Sequence, residues 1–478
     1  YTNKNLKWFF DSWLNDTDIL DYEIYNWSWN KNDQDKWDVI LPIKNKGDRF
    51  LPMLVYTENE DGSVDSLWWW NRKSWFSDTL RYEVDKKPKK ITIDPFFQTL
   101  DVDYRNNTTK MSNYVSIYWP GLDRYNPRDK NVLLYKPHLY YFEPKNDIAP
   151  GALFKYKYGP YNSLTIRLNY NYNKKDIFYH INGWFSFVHH FPRTKFKYWT
   201  FNIPGIKELG AEIEKKYSRY YGNSRNNYFL FGFYFQPRYD SVRANPMGYT
   251  VDSQNDKLGV SYFGWKTSNR WMKTDLNFSS TLNPYSSWKF SRITFVIRNT
   301  FKKGFFQYSQ RAIAGKIFTN DNGVPGQEGF NIEGNASNQL IQKSYLLDQF
   351  YGLDILFKNY HLPGEGNIRG FIWNELPGGE EIIALTFENS INENFEYLDM
   401  DIQFANFFDI GLLGNDRNNS KINYSTRFYA DFGFGVRLNK NILGQDYYLR
   451  LDSVIFKRKE NRNYYGKPDW IFSFQKPI

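Results

Sequence analysis

The sequence predicts an all-β fold in which a small β-sandwich precedes a transmembrane β-barrel. Apolar or aromatic residues alternate with mostly polar ones, most clearly in 424–436 and again in 164–172 and 292–298. Such segments of ~10 residues are typical of strands with one face toward lipid and the other toward a polar lumen. Aromatic residues make up 20% of the 478 residues, an excess that two membrane-interface girdles would use. No run of about 18 apolar residues exists, which excludes a transmembrane helix but not a barrel.

The N-terminal part has a different pattern. An apolar stripe in 6–14 predicts a short amphipathic helix. Short strand-like runs then follow between turn signals, at the spacing of an antiparallel sandwich: 21–29, 37–44, 50–57, 66–70, 79–84 and 90–94. For the triplet Trp68, Trp69 and Trp70 we expect core packing plus one exposed ring; carbohydrate stacking is the alternative. The predicted domains are a helical remnant at 1–22, a sandwich at 23–107, a linker at 108–150 and a barrel at 151–478.

The barrel region contains about 14 to 16 plausible strand segments, and an even number joined by short turns fits a bacterial barrel. One connection is much longer than the rest. Residues 316–379 carry several Gly-Pro or Gly-Gly type breakers and little strand character near their end. A loop of this length within a compact barrel is either functional or disordered.

Charge and cysteine content limit the partners. The formal net charge is +10 and there is no cysteine, so disulfide and thiol chemistry are excluded. Because Lys and Arg are spread along the strands, we expect them in a lumen or beneath anionic headgroups, and expect no nucleic acid partner. The chain opens at Tyr1 without a basic-plus-apolar leader, which predicts either a removed signal or a longer polypeptide.

No catalytic motif is present. A zinc peptidase needs His-Glu-x-x-His on a helix, and none of the five histidines lies in that motif: His138, His180, His189, His190 and His361. Nucleophile elbows, P-loops and dinucleotide fingerprints are also absent. The sequence therefore predicts no catalytic, cofactor-binding or metal-binding residue in this chain.

One motif in the long loop has a specific context. The run 362–371 reads LPGEGNIRGF, and five alternating segments follow it to the C-terminus. One of these contains Phe408-Asp409-Ile410-Gly411 and another Leu449-Arg450-Leu451-Asp452. An arginine within a lumen needs carboxylate acceptors in a fixed fork, and glycine lets the backbone turn sharply beside the wall.

This order of motif and strands resembles the C-terminal barrel of the surface-antigen (D15) superfamily, which includes the outer-membrane protein insertase and two-partner secretion translocators. The resemblance implies a 16-stranded barrel whose long loop folds back into the lumen. It implies a lumen-loop lock in which the tip Ile368, Arg369, Gly370 and Phe371 meets Glu388 and Asp409 on the next two strands. The family usually ends on an aromatic residue, whereas this chain ends with 474–478, FQKPI.

The front of the chain resembles another family. Residues 9–14 and 21–24 are similar to the end of a gluzincin-type zinc aminopeptidase domain, and the strands up to 92–95 to the small sandwich that follows it. This resemblance implies that the barrel anchors, and could export, an aminopeptidase-like domain, with zinc only if such a domain lies upstream.

Two other functions stay open: a non-enzymatic assembly or translocation factor, or subunit of a larger outer-membrane complex, and a soluble all-β binding protein. For both membrane readings we expect a bacterial outer-membrane location and a periplasmic sandwich. The expected partners are outer-membrane lipid and lipopolysaccharide, with a peptidase domain or other complex subunits.

Overall fold

The structure is a computed structural model of the 478-residue chain. It describes residues 19–70, 78–118, 125, 127–142, 147–159, 161–172, 175–187, 191, 193–203, 206–218, 226–239, 257–269, 271–319, 324, 328–332, 365–371, 379–395, 400–414, 416–418, 421–423, 426–442, 445–459 and 462–473. The helix predicted over 6–14 lies outside these residues. Among the residues described, no helix has both the length and the apolar character needed to cross a membrane.

The N-terminal unit is a sandwich of a four-stranded and a three-stranded sheet, as predicted. Its strands are β1 (Tyr22–Ile24), β2 (Ser28–Lys31), β3 (Trp37–Asn45), β4 (Met53–Asn59), β5 (Val64–Trp69), β6 (Asp78–Val84) and β7 (Pro88–Ile93). Strand β3 pairs with β1 and β2 along one edge and with β6 along the other, while β4 pairs with β5 and β7. Alternate residues of each sheet point between the sheets, so Val39, Leu41, Val55 and Ile91 form a dry core.

The exposure of the tryptophan triplet differs from the expectation of one outward ring. Only Trp69 is buried, donating its indole N–H to Asp78 Oδ2 over 3.2 Å. Trp68 and Trp70 are 66% and 44% exposed, so two rings face outward rather than one. Alternation along β5 accounts for Trp68, whereas Trp70 follows the last residue of that strand.

The remaining strands form a closed barrel. They are β8 (Ser112–Ile117), β9 (Lys130–Phe142), β10 (Asp147–Tyr158), β11 (Asn162–Asn171), β12 (Asp176–Phe187), β13 (Thr194–Ile203), β14 (Ile206–Ser218), β15 (Asn226–Tyr239), β16 (Leu258–Ser268), β17 (Met272–Thr281), β18 (Phe290–Lys303), β19 (Phe306–Thr319), β20 (Glu381–Phe395), β21 (Met400–Gly414), β24 (Arg427–Ile442), β25 (Gln445–Lys459) and β26 (Arg462–Ser473). A separate hairpin, β22 (Asp416–Asn418) with β23 (Lys421–Asn423), lies between β21 and β24.

The barrel begins earlier than predicted, so the prediction of a linker at 108–150 is wrong. That range contains β8, β9 and the start of β10. Leu133 and Tyr135 are 36% and 43% exposed, whereas Val132 and Leu134, which alternate with them, are buried. The alternation is therefore present, but Pro137 and Pro150 within the strands gave the segment the composition of a linker.

The closed order contains one strand beyond the predicted 16. Sixteen strands, β9–β21 with β24–β26, follow one another in antiparallel order, and β8 stands between β26 and β9. The additional strand pairs with β9 in parallel, from Ser112 opposite Lys130 to Ile117 opposite Tyr135. A parallel neighbour needs a crossover connection, which leaves no hairpin signal in the sequence.

The two faces of the barrel wall differ in chemistry. On β24, Phe432 and Phe434 are exposed on the outside, while Asp431 and Arg437 are buried on the inside. The same division holds around the wall, whose exposed large apolar side chains include Leu139, Phe154, Leu168, Tyr170, Ile177, Leu209, Ile213, Phe229, Phe231, Phe233, Phe263, Phe278, Ile293, Phe295, Ile383, Phe404, Phe408, Leu412, Leu449, Leu451 and Trp470. The outside of the wall is thus largely apolar, and the buried charges Asp431 and Arg437 point into the lumen.

Candidate functional site: the loop within the lumen

The connection between β19 and β20 returns into the barrel. Its described parts are 324, 328–332, 365–371 and 379–380. The two longer parts run together, with the amide N–H of Ile368 donating to the carbonyl of Ile332 over 3.1 Å. The amide of Phe330 and the carbonyl of Gly379 are 2.8 Å apart, which ties the loop to the chain just before β20.

Apolar side chains of this loop pack against the inner face of the barrel. Phe330, Ile332 and Ile368 are fully buried and Phe371 is 3% exposed. They belong to one core with inward wall residues, which include Val296, Ile313, Ile317, Ile382, Ala384, Leu413 and Tyr429. Gly315 provides space for Phe330, because a Cβ there would lie 2.4 Å from the Phe330 ring. These side chains therefore form an apolar core between the loop and the barrel wall.

Arg369 is fully buried and faces two carboxylates. Its Nη1 atom donates to Glu388 Oε2 over 2.6 Å. Its Nε atom lies 2.9 Å from Asp409 Oδ2 as an ion pair without hydrogen-bond alignment, and Nη2 donates to Asp409 Oδ1 over 3.3 Å. The guanidinium also stacks over Phe407, 4.2 Å from the ring centre. The structure thus brings Arg369 together with the two acidic residues chosen from the sequence.

Gly370 and Phe371 complete the contact made by the tip. The Gly370 amide donates to Asp431 Oδ2. A Cβ at Gly370 would lie 2.9 Å from Asp431 Cβ and 3.0 Å from Val454 Cγ1, so the close approach requires glycine. Phe371 packs edge-on against Tyr429 at 5.4 Å. We call these contacts of 368–371 with β20, β21 and β24 the first clasp.

Four further charged residues belong to this site. Arg437 bridges Glu388 Oε2 at 2.8 Å and Asp452 Oδ1 at 2.7 Å. Arg450 Nε pairs with Asp452 Oδ2 at 2.6 Å. Asp431 lies opposite Asp409 in the register of β21 and β24. Three guanidinium groups, of Arg369, Arg437 and Arg450, therefore meet four carboxylates, of Glu388, Asp409, Asp431 and Asp452.

Sequence reasoning did not assign these four residues to the site. Asp431 and Arg437 lie six residues apart and hence on one face of β24, and Arg450 and Asp452 share a face of β25. The alternation along each strand therefore indicated that these charges share a face. It did not indicate the register between neighbouring strands. An isolated strand does not reveal which of its charges lie at the level of Arg369.

A second group of contacts holds the loop from another side of the lumen. Arg292 of β18 pairs with Glu365 and donates from Nη1 to the carbonyl of Glu328 over 3.3 Å. Its guanidinium lies 4.2 Å from the ring centre of Phe330. Tyr234 of β15 donates its hydroxyl to Glu328 Oε1. We call the contacts of Glu328 and Glu365 with β15 and β18 the second clasp; the sequence had not indicated it.

The site does not resemble a metal centre or a hydrolytic site. No group of three or more His, Cys, Asp or Glu residues suited to a metal ion occurs in the described part of the chain. His138 Nδ1 lies 2.8 Å from Asn169 Oδ1, and His180 Nδ1 lies 3.3 Å from Arg167 Nη1. His189, His190 and His361 fall outside the described ranges. What the buried charges can do is hold the loop in one position.

No protein-family model matches the chain, and no curated protein matches it. Solved structures with a similar course include BamA from Haemophilus ducreyi lacking POTRA domains 1-3, at 11% identity over 89% of both chains with a TM-score of 0.40. OccAB1 from Acinetobacter baumannii matches at 10% identity over 95% of this chain and 94% of its own, with a TM-score of 0.30. OprD from Pseudomonas aeruginosa matches at 8% identity over 95% and 91%, with a TM-score of 0.26.

Proposed function

We propose that the protein is an integral β-barrel of the bacterial outer membrane whose lumen is closed by its own loop, so that it anchors rather than conducts. The observation that carries this proposal is the burial of the loop within the barrel, where two clasps hold it. A diffusion channel of the porin kind needs a water-filled lumen, whereas Phe330, Ile368 and Arg369 are fully buried within this one.

The outer surface supports the membrane location. Soluble monomers rarely expose apolar patches beyond a few hundred Å², and here exposed Phe, Leu, Ile and Tyr side chains continue from β9 to β26. In water such a surface would drive aggregation; in a bilayer it is solvated by acyl chains. This argues against the soluble binding protein.

The outer-membrane assignment sets the expected partners. Phospholipid of one leaflet and lipopolysaccharide of the other would surround the barrel, and the excess of Lys and Arg suits their anionic headgroups. The periplasmic placement of the sandwich is part of the proposal and is supported by the resemblance to the surface-antigen superfamily.

For the anchored cargo we propose an aminopeptidase-like domain in the same polypeptide, supported by the resemblance of 9–14 and 21–24 to the end of such a domain. Zinc would then belong to that domain. The second candidate is an outer-membrane assembly or translocation factor, favoured by the contact of Arg369 with Glu388 and Asp409, which is the contact that the superfamily resemblance implies.

The test combines three measurements on protein extracted from membranes with detergent. In a planar bilayer we expect no steady porin-like conductance; an open channel would overturn the closed anchor. An intact mass well above 57.4 kDa, together with aminopeptidase activity, would support the peptidase cargo. An assembly factor instead predicts that depletion lowers the amounts of other outer-membrane barrels, which an anchor leaves unchanged.

A further inference from the structure

The sandwich exposes an apolar and aromatic strip on its three-stranded sheet. Trp68 is 66% exposed and lies opposite Leu54 in the register of β4 and β5. Phe96, 59% exposed, packs edge-on against Tyr56 of β4 at 5.9 Å. Leu100, also 59% exposed, lies on the same loop as Phe96, after β7. We call these five residues the sandwich strip.

The loop that carries Phe96 and Leu100 is firmly built. Asp94, with a positive φ of 50°, accepts hydrogen bonds from the Gln98 amide over 2.8 Å and from the Thr99 amide over 2.9 Å. The Thr99 hydroxyl also donates to Asp94 Oδ2 over 2.6 Å. These contacts fix the backbone on both sides of the exposed side chains. The exposure of Phe96 and Leu100 therefore belongs to an ordered turn.

The same loop region touches the outside of the barrel. Asn131 and Tyr158 lie on the outward face, since they share parity with exposed Leu133 and Phe154. Arg105 lies 3.6 Å from the Tyr158 ring centre and donates from Nη1 to Asn131 Oδ1 over 2.8 Å. The sandwich thus contacts the outward face of the barrel wall, at the start of β9 and the end of β10.

We propose that the sandwich strip is a membrane-interface contact, which seats the sandwich in the phospholipid headgroup region beside the barrel. The inference rests on the proposed membrane location of the barrel. Trp and Tyr favour the interface, where an apolar ring meets headgroups, and the loop that carries Phe96 contacts Arg128, two residues before β9. Exposed Arg128, whose Nη1 lies 3.4 Å from the Phe97 carbonyl, supplies a cation for a lipid phosphate.

The test uses single cysteines, which the chain permits because it has none of its own. Phe96→Cys and Leu100→Cys would be labelled with an environment-sensitive fluorophore in the full chain, inserted into vesicles of phosphatidylcholine and phosphatidylglycerol. Gln34→Cys labels an exposed turn of the sandwich, and Phe231→Cys labels the outer face of β15. Quenching would be measured with spin-labelled lipids and with aqueous iodide, on variants that retain the heat-dependent gel shift of a folded barrel.

We expect the labels at positions 96 and 100 to be quenched several-fold more by spin-labelled lipid than the label at 34, and less by iodide. If the label at 231 is quenched by lipid but those at 96 and 100 behave like that at 34, the interface contact is wrong and the membrane barrel stands. Shielding of 96 and 100 from both quenchers would mean that protein covers the strip, which also overturns the proposal. Absence of lipid quenching at position 231 would overturn the proposed membrane location of the barrel itself.

Discussion

Asp409 depends on Arg369 for its charge compensation, whereas Glu388 does not. Glu388 Oε2 lies 2.6 Å from Arg369 Nη1 but also 2.8 Å from Arg437 Nη2. Within the described residues, the ion pair of Asp409 is with Arg369 alone, at 2.9 Å. Removal of the loop arginine would therefore leave one carboxylate with a partner and the other without.

Arg369→Ala should destabilise the folded barrel by about 3–5 kcal/mol, because a buried carboxylate loses its cation. The measurement is the temperature at which the folded band disappears on a gel of unheated and heated samples. Adding Asp409→Asn should recover part of the loss, since the carboxylate that lost its ion-pair partner is then neutral. Lys302→Ala, at an exposed end of β18, is the charge-matched control and should leave the transition unchanged. Equal transition temperatures for Arg369→Ala and the parent chain would contradict the buried clasp.

Gly370→Ala should destabilise the barrel by about 1–3 kcal/mol through overpacking against Asp431 and Val454. Val454→Ala removes the Cγ1 atom that the new methyl would approach at 3.0 Å. The double variant should therefore lose less stability than the sum of the two single variants, and urea unfolding of all four proteins measures this coupling. Strict additivity would mean that the tip does not press against Val454.

The two clasps should hold the loop independently. Arg292→Ala removes the ion-pair partner of Glu365 in the second clasp, and Arg369→Ala removes that of Asp409 in the first clasp. Each single variant therefore retains one intact clasp. We expect each single variant to stay closed in a planar bilayer and the double variant to show conductance. Conductance in Arg292→Ala alone would show that the second clasp controls closure by itself.

The sandwich should lose stability as pH rises from about 4 to about 7. Burial, together with the charge of Asp21, raises the pKa of Asp101 to about 7, despite hydrogen bonds from the Tyr22 and Asp103 amides. The folded form thus keeps a proton that the unfolded chain releases near pH ~4. This contribution is fully present below that pH and is lost on approach to pH 7, by about 3 kcal/mol or more.

Limited proteolysis of the membrane-inserted full chain in increasing urea, at pH 4.5 and 7.5, would report the unfolding midpoint of the sandwich. Asp101→Asn cannot titrate and should flatten the difference between the two pH values. An equally steep dependence in that variant would assign the effect to another group.

Sequence parity determined which side of each strand faces the lumen, because side chains alternate with a period of two whatever the neighbouring strand is. It therefore placed Glu388 and Asp409 inside, while the resemblance of the loop motif supplied Arg369 as their partner. The apolar outer surface follows from the same alternation. The sandwich core around Val39 and Leu41 also follows from this alternation.

Only the tertiary structure decided which inward charges share a level. Asp431 meets Gly370 because β24 pairs with β21 in the register that sets Asp431 opposite Asp409. Arg292 meets Glu365 because the loop crosses the lumen to β18, over 70 residues earlier in the chain. Strand register and loop path depend on long-range pairing, and a slip of one residue would reverse every side chain. The alternation within a single strand does not record these contacts, and so the second clasp was found only in three dimensions.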